Sequence, residues 1–145
     1  MKFLALLSLS VAFATSSTAI SAADSNGQPE IVKAEFGLFT VAGGKARFMP
    51  TKVVPLYNNQ VYGWTMQVRT SKPLIRIKEE VTFPSKAGKP AGNGGRTEIT
   101  ERTVKPENGT IFNTWSVIPG DIKGHYVVRV TLDDGQSKTF EFDIQ

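Results

Sequence analysis

Cysteine is absent from the 145 residues of this chain, and histidine occurs once, as His125. The lack of thiols excludes disulfide bonds, thiol catalysis and cysteine-based zinc sites. A single imidazole also excludes a metal centre built from several histidines. The sequence therefore predicts no metal site and no cofactor, and it leaves hydrophobic packing as the source of stability.

Long apolar runs are scarce, and the one at the N-terminus is short. Lys2 precedes a mostly apolar stretch from Phe3 to Ala14, and small residues ending in Ser21-Ala22-Ala23 follow it. A membrane-spanning helix needs about 20 apolar residues, so a permanent anchor is the less favoured interpretation. A basic start, an apolar centre and a small-residue exit are typical of a secretory signal peptide, predicted here over residues 1–23.

The rest of the chain is predicted to be an exported protein, either periplasmic or secreted, after cleavage behind Ala23. Residues 24–30 are polar and contain Gly27 and Pro29, so they are predicted to be a disordered lead. Residues 31–145 are long enough for one domain with a hydrophobic core. They contain no run of 18 apolar residues, so this domain is predicted to be soluble.

Apolar and polar residues alternate with a period of two along most of this domain. The clearest runs are 64–68, 75–83, 126–132 and 140–144, and weaker ones are 31–40, 46–54, 97–104 and 110–117. Such alternation gives strands with one buried face, and frequent Asn, Asp, Gly and Pro turns separate them. The sequence therefore predicts an all-β fold, an antiparallel β-sandwich of seven or eight strands.

Three features predict how these strands are arranged. Pro50 interrupts the run 46–54, which is expected at a sheet edge or at a bend between sheets, because proline lacks the N–H that a ladder needs. Thr97–Val104 is mostly polar and is predicted to be an edge strand. Asp133-Asp134-Gly135 links two strongly alternating runs and predicts a hairpin turn.

The segment from Asp121 to Val128 resembles the start of strand F in immunoglobulin-like domains. There an Asp precedes a Gly or Ala and then a Tyr that folds back in a tyrosine corner. The resemblance implies that Tyr126 is the corner tyrosine, and that Val128 stands where antibody domains place their second cysteine.

A second resemblance covers most of the domain through short motifs that follow in a fixed order. They are Glu35-Phe36-Gly37-Leu38-Phe39, Val53-Val54-Pro55-Leu56, Tyr62-Gly63-Trp64, Val81-Thr82-Phe83-Pro84, Ile118-Pro119-Gly120 and Lys138-Thr139-Phe140-Glu141-Phe142. Their succession resembles a family of small exported bacterial proteins, a domain of unknown function. The resemblance implies an exported, immunoglobulin-like β-sandwich and supplies no catalytic or binding residues.

The sequence offers no coherent catalytic set. His125 is the sole candidate imidazole base, and no Gly-x-Ser-x-Gly elbow is present. Glu79 and Glu80 are neighbours on a strand and point to opposite faces, so they cannot converge on one bond. Glu79 falls on an otherwise apolar face, so we expect it either in water near a strand end or paired with a base. The chain is predicted not to be an enzyme, with a carboxylate-dependent hydrolase as the alternative.

Basic residues predict one binding surface. Two strands taken as neighbours, the connection between them and the glycine-rich segment 85–96 carry the cations of this predicted basic patch. They are Arg69, Lys72, Arg76, Lys78, Lys86, Lys89 and Arg96. Such a surface attracts anionic partners in a salt-sensitive way. The alternative is a charged, solvated face that keeps the protein soluble.

The sequence thus favours a non-enzymatic exported module that binds an anionic envelope component or another protein, with no nucleic acid expected. In one variant of this hypothesis, the edge strand Thr97–Val104 pairs with a second chain, and a proline at Ile99 abolishes capture. The alternative is a structural accessory domain of the cell envelope.

Overall fold

The computed structural model describes residues 27–85 and 95–145, and in these ranges the chain forms nine strands and no helix. None of the described residues therefore belongs to a helix that could cross a bilayer. The strands are β1 Glu30–Ala42, β2 Lys45–Pro50, β3 Val53–Val54, β4 Val61–Arg69, β5 Ile75–Thr82, β6 Thr97–Val104, β7 Thr110–Ser116, β8 Gly124–Leu132 and β9 Ser137–Ile144.

The strands form two facing sheets. The four-stranded sheet has the order β2-β1-β4-β7, and the five-stranded sheet has the order β3-β9-β8-β5-β6. Neighbouring strands are antiparallel except β3 and β9, which run parallel. The order β9-β8-β5 matches the G-F-C order of immunoglobulin domains. The predicted immunoglobulin-like β-sandwich is confirmed, and β6 lies at a sheet edge as its polar sequence predicts.

Alternate side chains of the two sheets form the core, as a period of two requires. Trp64 and Val128 are fully buried, so an aliphatic side chain fills the position that carries a cysteine in antibody domains. Phe36 of β1 stacks on Phe142 of β9 with ring centroids 4.2 Å apart. Each such side chain contributes about 1.5–3 kcal/mol through burial, and this packing stabilises the fold without disulfide bonds.

The chain changes sheets between β2 and β3, through Pro50, Thr51 and Lys52, which we call the crossing link. The N–H of Thr51 donates to the carbonyl of Phe36 in the four-stranded sheet (3.1 Å), and the carbonyl of Lys52 accepts from the N–H of Asp143 in the five-stranded sheet (2.9 Å). Pro50 thus ends an edge strand, as predicted. Because this run supplies two strands, the described residues form nine strands where seven or eight were expected.

Two local predictions about β8 are also confirmed. The hydroxyl of Tyr126 donates a 2.7 Å hydrogen bond to the carbonyl of Ile122, which forms the tyrosine corner. Asp133 and Asp134 adopt positive φ values of 46° and 58° in the turn between β8 and β9. Asp tolerates this conformation better than most residues, so the sequence suits a tight hairpin.

Candidate binding groove

The predicted basic patch does not lie on two adjacent strands. Arg69 ends β4 in the four-stranded sheet, whereas Arg76 and Lys78 belong to β5 in the five-stranded sheet. The expectation that these strands are neighbours is therefore wrong. The connection between them, which contains Lys72, carries the chain across the roughly 10 Å that separates the layers of a sandwich.

Carboxylates accompany every described cation of the basic patch. The pairs are Arg69 with Glu30, Lys72 with Asp133 at 2.7 Å, Arg76 with Asp134, Lys78 with Glu80 at 3.5 Å, and Arg96 with Glu98 at 2.9 Å. Lys86 and Lys89 fall outside the described residues. An anion that approached this surface would compete with carboxylates already in place.

The pair of Lys72 and Asp133 is the best sheltered of these. Burial disfavours the charged form of Asp133 and by itself would raise its pKa. Hydrogen bonds from Lys72 Nζ and the Arg76 backbone N–H, together with the positive charges of Lys72 and Arg76, outweigh burial and lower the pKa of this carboxyl. Asp133 therefore stays ionised, and it holds the connection between β4 and β5 against the β8–β9 turn.

The one histidine lies on the solvated outer face of the five-stranded sheet. Its Nδ1 is 3.0 Å from Oδ1 of Asp143, and its Nε2 is 3.7 Å from Oε2 of Glu141. The side chain of His125 is 45% exposed, so these contacts are of the surface kind that contributes little to stability. In the part of the chain that the structure describes, no three His, Asp or Glu side chains form a cluster that could hold a metal ion.

Glu79 lies in the core, and both expectations for it are wrong. It is buried rather than in water, and within the described ranges it forms no ion pair with a base. Its carboxylate instead accepts a 2.7 Å hydrogen bond from the indole N–H of Trp64 and bonds of 3.0 and 3.2 Å from the amide of Asn113. Neutral donors from the facing sheet therefore satisfy this buried carboxyl group.

A groove of about 690 Å³ runs between β1 and β9 along one side of the sandwich. Its floor contains the rings of Phe36 and Phe140, whose centroids are 6.2 Å apart. Its two walls belong to different sheets, because β1 and β9 face each other across the sandwich. The crossing link closes one end of this β1–β9 groove.

The edge of β9 that borders the groove carries main-chain groups that pair with no strand of residues 27–85 or 95–145. Asp143 and Gln145 direct their N–H groups toward β3, to the carbonyls of Lys52 and Val54. Thr139 and Glu141 precede Asp143 by even steps on the same strand, so their N–H and C=O groups point to the same edge. β3 pairs only with the last part of β9, and no described strand lies opposite Thr139 and Glu141.

Charged side chains line the groove asymmetrically. Lys52 lies at the end closed by the crossing link, and Lys138 lies toward the start of β9. Glu35 is paired with Lys33 at 2.9 Å, so its charge is partly neutralised. The carboxylate of Glu141, also in the lining, is 3.7 Å from Nε2 of His125. Within the described ranges Lys52 and Lys138 have no carboxylate partner, so the groove presents two cations that no ion pair occupies.

None of these groove residues was among the predicted binding residues. Pro50 indicates where the chain changes sheets. A short β3 is expected there, because the chain has only just joined the five-stranded sheet. The open β9 edge depends on that short pairing, which residue types alone do not reveal.

The sequence profile of the PM0630 beta sandwich domain matches residues 34–145, most of the chain. The protein belongs to the PM0630 beta sandwich domain family. The matched region includes both walls of the groove and the crossing link. The predicted membership of a small β-sandwich family is thereby confirmed.

Two solved structures resemble this PM0630 beta sandwich domain. An immunoglobulin-like protein from Pseudomonas aeruginosa is 16% identical, with a TM-score of 0.57, and the match covers 83% of this chain and 99% of that one. The PmoD soluble domain from a Methylocystis species is also 16% identical, with a TM-score of 0.38 and coverage of 81% and 97%. The first likeness supports the immunoglobulin-like fold. No curated protein matches the chain.

Proposed function

We propose that this PM0630 beta sandwich domain is a non-enzymatic, exported interaction module that takes up an extended segment of another polypeptide in its β1–β9 groove. The observation that carries the proposal is the open edge of β9, where no strand of the described residues lies opposite the main-chain groups of Thr139 and Glu141. Unpaired strand edges bind extended segments by adding a strand to the sheet, and the added main-chain hydrogen bonds supply affinity.

The dimensions of the groove suit such a segment. Its volume of about 690 Å³ falls within the range of roughly 300–1,000 Å³ typical of ligand sites. The four residues of β9 that line it span about 13 Å at 3.3 Å per residue, so about four residues of an extended segment fit alongside. Alternate side chains of that segment would face the rings of Phe36 and Phe140, which favours small or apolar residues at those positions.

The other candidate surfaces support binding less well. The described cations of the basic patch already face carboxylates, so their attraction for a further anion is reduced. The β6 edge is exposed along most of its length and carries the exposed side chains of Glu98 and Glu101, and charges of this kind discourage pairing with other chains. Export rests on the leader predicted over residues 1–23.

Site-specific photocrosslinking tests the proposal in cells that express the full-length sequence. Thr139 is replaced with p-benzoylphenylalanine to probe the groove edge, and Thr103 on β6 is replaced in the same way as a control. We expect a discrete adduct from position 139, mapped by mass spectrometry to an extended segment of one partner, and none from position 103.

A proline variant provides the decisive control. Glu141→Pro removes an N–H that points to the groove and leaves the ladder to β8 intact, so the edge strand should tolerate it. The adduct should disappear in Glu141→Pro and persist in Ile99→Pro on β6. An adduct that survives Glu141→Pro, or that disappears only in Ile99→Pro, would contradict capture in the groove. Absence of any adduct would favour a structural accessory role.

A further inference from the structure

We infer that the groove takes the C-terminus of its partner chain, bound parallel to β9 with the terminal carboxylate at the Lys52 end. This inference rests on the proposed function, since it specifies which kind of segment the groove accepts. It follows from three features: the closed end of the groove, the direction of β3, and the positions of Lys52 and Lys138.

The crossing link limits how far an added strand can extend. The carbonyl of Lys52 already accepts from the N–H of Asp143, and β3 occupies the β9 edge from there onward. A segment that pairs with Thr139 and Glu141 therefore meets the link directly after Glu141. A chain terminus ends there without steric conflict, whereas an internal segment has to turn sharply out of the groove.

The direction of the added strand decides which terminus reaches the link. In a segment parallel to β9, as β3 is, the C-terminal end lies beside Lys52. In an antiparallel segment, the N-terminal end lies there. A terminal carboxylate is attracted by the ammonium group of Lys52, whereas a terminal ammonium is repelled by it. The charge at the closed end thus favours the parallel arrangement.

Main-chain donors strengthen this preference. In the parallel ladder, the N–H of Asp143 donates to the carbonyl of Lys52. If the bound segment repeats this pattern two residues earlier on β9, the N–H of Glu141 points at the last carbonyl of the segment. In a C-terminus, that carbonyl belongs to the terminal carboxylate. A charge-assisted hydrogen bond to a carboxylate is about twice as strong as a neutral one. Lys138, near the start of β9, lies where it would meet a carboxylate side chain a few residues before that terminus.

Peptide selection with two matched libraries tests the inference. Random heptapeptides are offered to the purified protein once with a free C-terminal carboxylate and once as C-terminal amides, and selected sequences are measured in both forms by fluorescence polarisation. We expect selected peptides to bind at least about tenfold more tightly as carboxylates, because amidation removes the charge that Lys52 and the Glu141 N–H recognise.

Two variants with the same loss of charge locate the effect. Lys52→Gln should markedly reduce the difference between carboxylate and amide forms, whereas Lys138→Gln should keep that difference and weaken only peptides with an acidic residue upstream. Circular dichroism serves to check that both variants remain folded. An unchanged preference in Lys52→Gln would overturn the inference.

The results also separate this inference from the proposal beneath it. If amides and carboxylates bind equally and Glu141→Pro abolishes both, strand capture stands and the C-terminal preference is wrong. If the peptides bind and Glu141→Pro has no effect, or if neither library yields a binder, strand capture in the groove is itself contradicted.

Discussion

The indole N–H of Trp64 donates a 2.7 Å hydrogen bond to the carboxylate of Glu79, across the interior of the sandwich. Trp64 belongs to β4 in the four-stranded sheet and Glu79 to β5 in the five-stranded sheet, so the bond joins the two layers. Asn113 of β7 donates to the same carboxylate. Because each partner loses its hydrogen bond if one sheet shifts over the other, this contact favours one alignment of the two sheets.

Replacement of Glu79 with leucine should destabilise the fold. The variant leaves the buried indole N–H of Trp64 without an acceptor, and an unsatisfied buried group costs about 1–3 kcal/mol. Glu79→Gln retains an acceptor oxygen and should cost less. Urea unfolding measures both, with Glu80→Leu on the outer face as a control that we expect to change stability little. Equal stability of Glu79→Leu and the unmodified protein would rule out a structural role for the bond.

Replacement of Asp133 with asparagine should change how stability responds to acid. The pKa of Asp133 is lowered in the folded state, so its ion pair with Lys72 stabilises the fold above the unfolded-state pKa of 3.8 and is lost as the pH falls below that value. Asparagine also tolerates positive φ, so the turn should persist. The free energy of unfolding is measured at pH 7 and at pH 3. Its decrease from pH 7 to pH 3 should be smaller in Asp133→Asn than in the unmodified protein. A parallel fall in both proteins would contradict this.

Removal of the Tyr126 hydroxyl should weaken the tyrosine corner. Tyr126→Phe keeps the ring, which packs on Phe142 with centroids 5.3 Å apart, and deletes only the bond to the carbonyl of Ile122. The expected loss is about 1 kcal/mol, the typical net value of one such hydrogen bond. Thermal and urea unfolding should agree, and an unchanged midpoint would show that water replaces the bond at no cost.

Alkaline pH should destabilise the fold through ionisation of the buried Tyr62 side chain. Burial, with the charge of Asp121 nearby, raises the pKa of this phenol in the folded state above its ordinary value of 10. A raised folded-state pKa means that stability is fully present below pH 10 and declines above it, because the unfolded chain releases the proton more readily. Tyr62→Phe should therefore shift the alkaline unfolding midpoint to higher pH, measured by circular dichroism. A midpoint at the same or lower pH would contradict the assignment.

The fold could be predicted largely because its information is local. A period of two specifies strands with one buried face, and the motif around Tyr126 marks the corner that the structure contains. Pro50 likewise indicated the change of sheet. Each of these signals depends on residues close together in sequence, where backbone geometry imposes the pattern.

The site could not be predicted in the same way, since it depends on partners distant in sequence. Lys72 and Asp133 are 61 residues apart, so nothing near Lys72 signals that its charge is already paired. The donors of Glu79 come from the facing sheet, and the open edge of β9 depends on how briefly β3 pairs with it. Which strands meet is a property of the whole topology, and the alternation of a single strand does not encode it.

The crossing link bonds to both sheets at one end of the groove, so it fastens the two layers together there and leaves the rest of that side open. A segment bound in the groove would likewise contact both sheets and would cover the open side between them along its length. Ligands that bind the native state alone raise its melting temperature, and the rise grows with the logarithm of the ratio of free ligand concentration to Kd. Unlabelled candidate partners can therefore be ranked by the heat resistance they confer on the sandwich.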